Sequence, residues 1–226
     1  MNGNETYDTR YYATRQKILS EAYQIIQSQG IAQLSMRSIA AAVKSSPANL
    51  YEYFANKDEI IYELQTMLLD ELAAHLRTVD TLLPSRDYLE QIGAAYLTFA
   101  HQHVALLHLP VEATTELDVH HRTHRMYNAA AAAPAVDRTT SVFEVLYDAI
   151  KHHHAAMPAG YKSAQVTTHE RAITFWAFLH GAATLHSLTD RSDYALAAWP
   201  ALFRAYMHET EATACRSVIP ANIDLK

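Results

Sequence analysis

The sequence predicts an all-α fold. Half of its 226 residues are hydrophobic, yet only five are glycine. A chain rich in Ala, Leu, Glu and Gln and poor in Gly favours helices over strands. Apolar residues recur three and four apart along most of the chain, with no convincing alternating pattern. Helix-stopping signals break the pattern near Gly30, Pro84, Pro110, Pro134 and Pro158. Two domains are expected: a small three-helix one over residues 1–60 and a larger helical one over 61–226. The whole amounts to roughly nine to ten helices.

Residues 1–13 are polar and read as a disordered or weakly held arm. Arg10, Tyr11 and Tyr12 sit just ahead of the first helix, where an arm of a DNA-binding domain can reach a phosphate or the minor groove. A helix over 14–29 follows, with Ile18, Ala22, Ile25 and Ile26 as its apolar stripe and Gly30 as its stop. Ser35 is placed to cap a helix over 36–43 whose Ile39, Ala40 and Val43 share a face. Lys44, Ser45 and Ser46 interrupt the pattern, and Pro47 suits the first turn of a helix over 47–53. Leu50 and Phe54 point inward together, leaving Asn49, Tyr51, Glu52 and Tyr53 on other faces.

Asn56 and Glu59 stand in capping-box order before a long helix over 57–79. Ser85 is a candidate cap for a helix over 87–101 bearing Ile92, Tyr96 and Phe99 on one face. Helical patterns then cover 103–117, 120–132, 136–157, 166–189 and 193–211. The alanine tract ending at Pro134 reads as a helix end, and Pro200 predicts a kink or a restart in the last pattern.

Two short helices joined by a three-residue turn, over 35–54, make a helix-turn-helix arrangement whose second helix fits the major groove. The small Ala40, Ala41 and Ala42 let the two helices cross closely. An ordinary helical hairpin gives the same spacing. The net charge of −6 argues against a generally basic nucleic-acid binder. The excess is not in the first sixty residues. There Arg10, Arg15, Lys17, Arg37, Lys44 and Lys57 balance Glu5, Asp8, Glu21, Glu52, Asp58 and Glu59. A specific reader needs local cations and N–H donors at phosphates, not a basic whole.

Residues 14–62 resemble the N-terminal domain of the TetR (tetracycline-repressor) family of transcriptional regulators. The resemblance rests on Arg15, Ile18, Leu19, Ala22, Gly30, Ser35, Ile39, Ala40, Leu50, Tyr51, Phe54, Lys57 and Ile60. The chain departs from the family pattern in its turn, where Lys44 and Ser45 replace the usual Gly and Val. It departs again in the second helix, where Ala48 and Asn49 replace Gly and Thr, and Glu52-Tyr53-Phe54 ends it instead of Tyr-His-Phe. These departures bear on which operator is read. The resemblance implies a homodimer on a palindromic operator, a small-molecule effector bound in the C-terminal domain, and a fourth helix shared by both domains that carries the signal between them. On this reading Asn49 meets a base edge, and Tyr51 and Tyr53 meet phosphates or a thymine methyl. Ser35, Arg37 and Lys57 anchor phosphates. Glu52 accepts from cytosine or merely faces solvent, and Ser46, Pro47 and Ala48 complete the contact segment.

Farther on, FWAFLHGAATL at 175–185 resembles the Trp-x-x-x-His-Gly element of one regulatory-domain subfamily. With the next helix it implies a four-helix dimer interface including Trp176, His180, Gly181, Leu185, Tyr194, Trp199, Leu202 and Tyr206. Membership in a monomer's core is the alternative for both helices. A ligand cavity lined by aromatic and a few polar groups is expected between helices. Tyr96, Phe99, His103, Leu107, His124, Tyr127, Phe143, Tyr147, Trp176 and His180 have that character.

The chain carries fourteen histidines, in clusters. His120 and His124 lie one helical turn apart, spacing that suits a shared metal, so a metal-responsive repressor is an alternative. Surface and hydrogen-bonded core histidines are the plainer explanation, and no cofactor is expected. An enzyme is not expected either: the sequence holds no GxSxG elbow, GxGxxG, GxxxxGK[ST] or HExxH. An α-helical enzyme or scaffold that does not bind DNA is the remaining alternative. The single cysteine, Cys215, fits a reducing cytoplasm, the polar start is not a signal peptide, and no apolar run spans a bilayer.

Overall fold

The computed structural model describes residues 3–103, 106, 138–157, 166–187 and 194–216. The described residues form eight α-helices and no strand. In chain order these are α1 (Gly3–Gln29), α2 (Met36–Val43), α3 (Pro47–Leu50), α4 (Lys57–Leu76), α5 (Ser85–Gln102), α6 (Arg138–Ala156), α7 (Thr168–Ser187) and α8 (Tyr194–Arg216). A 3₁₀ turn, Ile31–Gln33, joins α1 to α2. Apart from residues 103 and 106, the patterns read over 103–117 and 120–132 lie outside the described residues. None of the described helices is long and apolar enough to cross a membrane.

The described residues divide into two compact units. The first runs to Leu68. Its core is Ile18, Leu19, Ala22 and Ile26 of α1, Leu34, Ile39 and Ala40, then Leu50, Phe54 and Ile60, all nearly or fully buried. The second begins at Leu69 and is built from the rest of α4 with α5 to α8. Within it α5 packs on α6, α7 and α8, and α7 packs on both α6 and α8. Its buried core includes Leu89, Ile92, Tyr96, Leu146, Phe175, Leu179 and Phe203. α4 thus supplies residues to each unit in turn.

The helix boundaries follow local chemistry with some corrections. α1 begins at Gly3, so the polar arm read as disordered or weakly held is helical from there. Thr14 Oγ1 donates to the Arg10 carbonyl, and Tyr11 stacks on Tyr53 with ring centres 5.1 Å apart. A stretch with little core of its own is held by a tertiary contact that the sequence does not announce. Gly30 ends α1 with φ +84°. Ser35 caps α2 in a reciprocal box: its Oγ accepts from the Ser38 N–H at 3.0 Å, and Ser38 Oγ accepts from the Ser35 N–H at 2.9 Å. Asn56 Oδ1 accepts from the Glu59 N–H at 2.9 Å, but Glu59 reaches back to the Ala55 N–H at 2.6 Å, one residue earlier than the box expected.

α3 is shorter than the 47–53 segment expected, because after Leu50 the chain tightens into turns that bond three residues back, Glu52 N–H to Asn49 O and Tyr53 N–H to Leu50 O. α4 stops at Leu76, short of 79, where Thr78 Oγ1 donates to the His75 carbonyl at 2.7 Å. Ser85 does not cap α5. Pro84 holds the cap position without a side-chain bond, and Ser85 Oγ lies 3.2 Å from His153 Nδ1 instead. α8 continues through Pro200 with no restart.

The turn between α2 and α3 is a Schellman closure: the Ser45 N–H bonds the Ala40 carbonyl and the Lys44 N–H bonds Ala41. Lys44 occupies the left-handed position, φ 58° and ψ 47°, where the family usually has Gly. A Cβ there costs about 1 kcal/mol. Lys44→Val is therefore expected to lower unfolding stability by roughly 1–2 kcal/mol, and Lys44→Gly to hold or raise it. Urea denaturation of the two variants checks the order, and a Val variant as stable as wild type would refute it.

Candidate nucleic-acid interface

The first unit presents one polar, exposed surface around α3. Ser35, Arg37, Ser46, Pro47, Ala48, Tyr51, Glu52 and Lys57 are exposed. Tyr51 leaves 56 % of its surface open to solvent although it follows the fully buried Leu50. Asn49 and Tyr53 are half-buried. The surface is fastened from beneath by Leu50 and Phe54, which are four residues apart and buried together.

Several side chains in this segment are already engaged. Ser46 Oγ caps α3 by accepting from the Asn49 N–H at 3.2 Å, and Asn49 Nδ2 donates to Ser45 Oγ at 2.9 Å. A two-point contact from the Asn49 amide to adenine would need that bond released. Ser35 Oγ is occupied as the α2 cap, which leaves Arg37 and Lys57 as the exposed cations at the starts of α2 and α4.

The sequence assigns no role to Arg15, the residue that ties this segment to α1 and α4. Arg15 donates to the Tyr53 carbonyl and to Glu63, and its Nη2 lies 3.4 Å from Glu59 Oε1. Its guanidinium also rests 4.0 Å above the centre of the Phe54 ring. Burial pulls the Arg15 pKa down, but the hydrogen bond and charge of Glu63, with the charge of Glu59, outweigh it and leave the pKa raised. The available signal was Glu59 and Glu63, one turn apart on a helix and facing one cation.

Residues 18–64 match the family model described as "Bacterial regulatory proteins, tetR family". The helix-turn-helix domain belongs to the TetR family. This is a family of DNA-binding regulators, not of enzymes. Solved structures of low sequence identity share the fold over most of the chain. A TetR-family transcriptional regulator from Pectobacterium atrosepticum aligns with TM-score 0.64 and 18 % identity, covering 89 % of this chain and 96 % of that one. The fatty acid degradation regulator FadR from Bacillus halodurans aligns with TM-score 0.59 and 15 % identity, covering 84 % and 92 %. FadR from Bacillus subtilis, solved in complex with stearoyl-CoA, aligns with TM-score 0.52 and 13 % identity, covering 84 % and 95 %. No curated protein sequence matches.

In the second unit the expected pocket residues that are described gather in two groups, one around Tyr96, Trp176 and Phe143 and one of Phe99 with His103. Tyr96 is buried, its hydroxyl 3.3 Å from His180 Nδ1. Phe143 lies near Tyr147, Trp176 and His169, with ring centres 6.1, 6.2 and 5.0 Å away. Phe99 stacks on His103 at 4.3 Å, and burial lowers the His103 pKa against the opposing charge of Glu71. Leu107, His124, Tyr127 and the His120–His124 metal alternative lie outside the described residues. Among the described residues no three His, Cys, Asp or Glu side chains gather as a metal site. A small cavity of about 20 Å³ has a different lining, with Leu89, His153, His154, Arg171 and Tyr206 among it. At that volume it accommodates about one water.

Of the residues expected at a dimer interface, His180 and Gly181 are exposed, and a side chain at Gly181 would meet no atom within 4 Å in its own protomer. Trp176, Leu202 and Tyr206 are half-buried, and Tyr206 stacks on Phe178 at 4.7 Å. The side chains of Leu185 and Tyr194 lie outside the described part. Trp199 is only 3 % exposed and donates to the Glu90 carbonyl at 2.9 Å, so it faces its own core and not the outer surface of α8.

Burial pushes the Tyr96 hydroxyl up to about 12 against the smaller opposing effect of its hydrogen bond with Trp176. Its folded pKa stands above the ordinary value of 10, so its contribution to stability is complete below pH 10 and is lost as pH rises from 10 toward 12. The loss is on the order of 2–3 kcal/mol. Tyr96→Phe should flatten that part of the stability profile. An unchanged profile would mean that Tyr96 does not titrate out of register with the unfolded chain.

Proposed function

We propose that the protein is a homodimeric transcriptional regulator, a repressor that leaves its operator when a small molecule binds in the second unit. The observation that carries this reading is the pairing of a TetR-family helix-turn-helix with an outward face at the end of α3 and in the turn that follows it: Tyr51 and Glu52 open to solvent, Leu50 and Phe54 locked inside. α3 enters the major groove, and Asn49, Tyr51 and Tyr53 read bases and backbone. Ser35, Arg37 and Lys57 hold phosphates at the starts of α2 and α4, where helix N-termini favour anions. Two copies set about 34 Å apart read a palindrome.

The outer faces of α7 and α8 support a second copy. Ile173, Ala177 and Gly181 on α7 and Ala197, Ala201 and Ala205 on α8 are exposed, and small residues let helices approach closely. The effector site in this reading is the aromatic group of Tyr96, Phe143, Tyr147 and Trp176, with His180 as its polar member. A ligand that favours one spacing of the two reading heads shifts operator affinity by its differential affinity for the two states.

The test is a gel shift with the chain's own upstream DNA at about physiological salt, with random DNA as competitor. Saturable, sequence-preferring binding by a dimer supports the proposal. Equal binding to both DNAs, or a monomer at the concentrations that shift DNA, counts against it.

A further inference from the structure

α3 has only four residues, too few to fix an orientation by its own backbone bonds. Groups outside it must set the angle at which Tyr51 is presented. At the entrance Ser45 and Ser46 bond Asn49, and underneath lie Leu50 and Phe54. At the exit the fixing group is Arg15, in the middle of α1. It holds the Tyr53 carbonyl, covers the Phe54 ring and pairs with Glu63 and Glu59 on the first two turns of α4. Glu59 in turn holds the Ala55 N–H. One cation thus gathers residues 53–55, α1 and α4 at a single point. One turn earlier on α1, Tyr11 stacks on Tyr53 and lengthens the same brace.

We infer that Arg15 is a positioning residue for DNA recognition, setting how α3 is held against α1 and α4 without contacting DNA. Its side chain is only 17 % exposed, and its fork is spent on a carbonyl and two carboxylates, leaving no face for a phosphate. The planar fork is what permits three simultaneous contacts. A lysine keeps the charge but presents a single point, so it satisfies the carboxylates and releases the carbonyl. The inference rests on the DNA-binding reading above.

The test uses the full chain. Wild type first selects a duplex from a random-sequence pool, and Arg15→Lys is then compared on that duplex and on random DNA. Thermal melting should show Arg15→Lys folded. Its affinity for the selected duplex should fall about tenfold, the scale of one lost charge-assisted hydrogen bond. Binding to random DNA, and the slope of affinity against salt, should not change. The charge-removing Arg15→Gln is read beside it: a salt slope lower by about 0.9 in that variant would make Arg15 a phosphate contact and overturn the inference. Wild-type affinity in Arg15→Lys, or a variant that fails to fold, would overturn it as well, the latter by making the residue structural only. If wild type selects no duplex, the DNA-binding reading falls and this inference falls with it.

Discussion

Replacing Tyr51 and Lys57 together by alanine is expected to weaken operator binding about a hundredfold, near 3 kcal/mol, at the 1–3 kcal/mol typical of one good contact. Both side chains point out of the first unit. Tyr51 is 56 % exposed and Lys57 opens α4 in solvent. Neither belongs to the core made by Leu50, Phe54 and Ile60, so the melting temperature should hardly move. The two losses should also differ in kind. Removing a phosphate-bound lysine lowers the salt slope by about 0.9 and weakens all sequences alike, whereas removing a tyrosine that touches bases relaxes the sequence preference. Anisotropy titrations of the two single variants and the double variant, each at several salt concentrations, separate these effects. A folded double variant that binds as tightly as wild type would remove α3 from the interface.

The largest effect on stability is expected at Gly93, in the middle of α5. A Cβ there would fall 1.9 Å from Cζ2 of Trp199 and 2.3 Å from its Cη2. The ring has little room to yield. Its Nε1 donates to the Glu90 carbonyl at 2.9 Å, and Phe203 and Phe178 lie beside it with ring centres 5.5 and 5.9 Å away. Overpacking a tight core costs about 1–3 kcal/mol and more where nothing can shift, so Gly93→Ala should lose about 3 kcal/mol or more. Trp199→Leu alone should cost about as much, by leaving a cavity and an unmade hydrogen bond. The two together should cost clearly less than their sum, because the leucine vacates the space the methyl needs. Strict additivity in a denaturation cycle would mean that Gly93 and Trp199 do not share this contact.

Much of the architecture was readable because it rests on local rules. The apolar spacing in α1, α2 and α4, the Ser35 cap, the Pro47 start and the Gly30 stop are each determined by a few neighbouring residues, and each lies where the sequence puts it. The inward pair Leu50 and Phe54, and with it the outward set around Tyr51, lies where helical spacing predicts it, although the helix itself ends at Leu50. What failed depended on partners distant in sequence. The arm before residue 14 looked unstructured because the ring it stacks on, Tyr53, is some forty residues away. Ser85 looked like a cap but meets His153 in another helix. Trp199 fits an interface and a core equally well by composition, and only the approach of α8 to Gly93 and Glu90 turns it inward.

The sequence by itself therefore determined the helices, the family of the reading head and which of its side chains face outward, since these are matters of period, cap and turn. Tertiary structure alone decided what holds that head in place. Arg15, Glu59, Glu63 and the Tyr53 carbonyl become one site only when α1, α3 and α4 converge, and spacing along the chain carries no record of distances between helices.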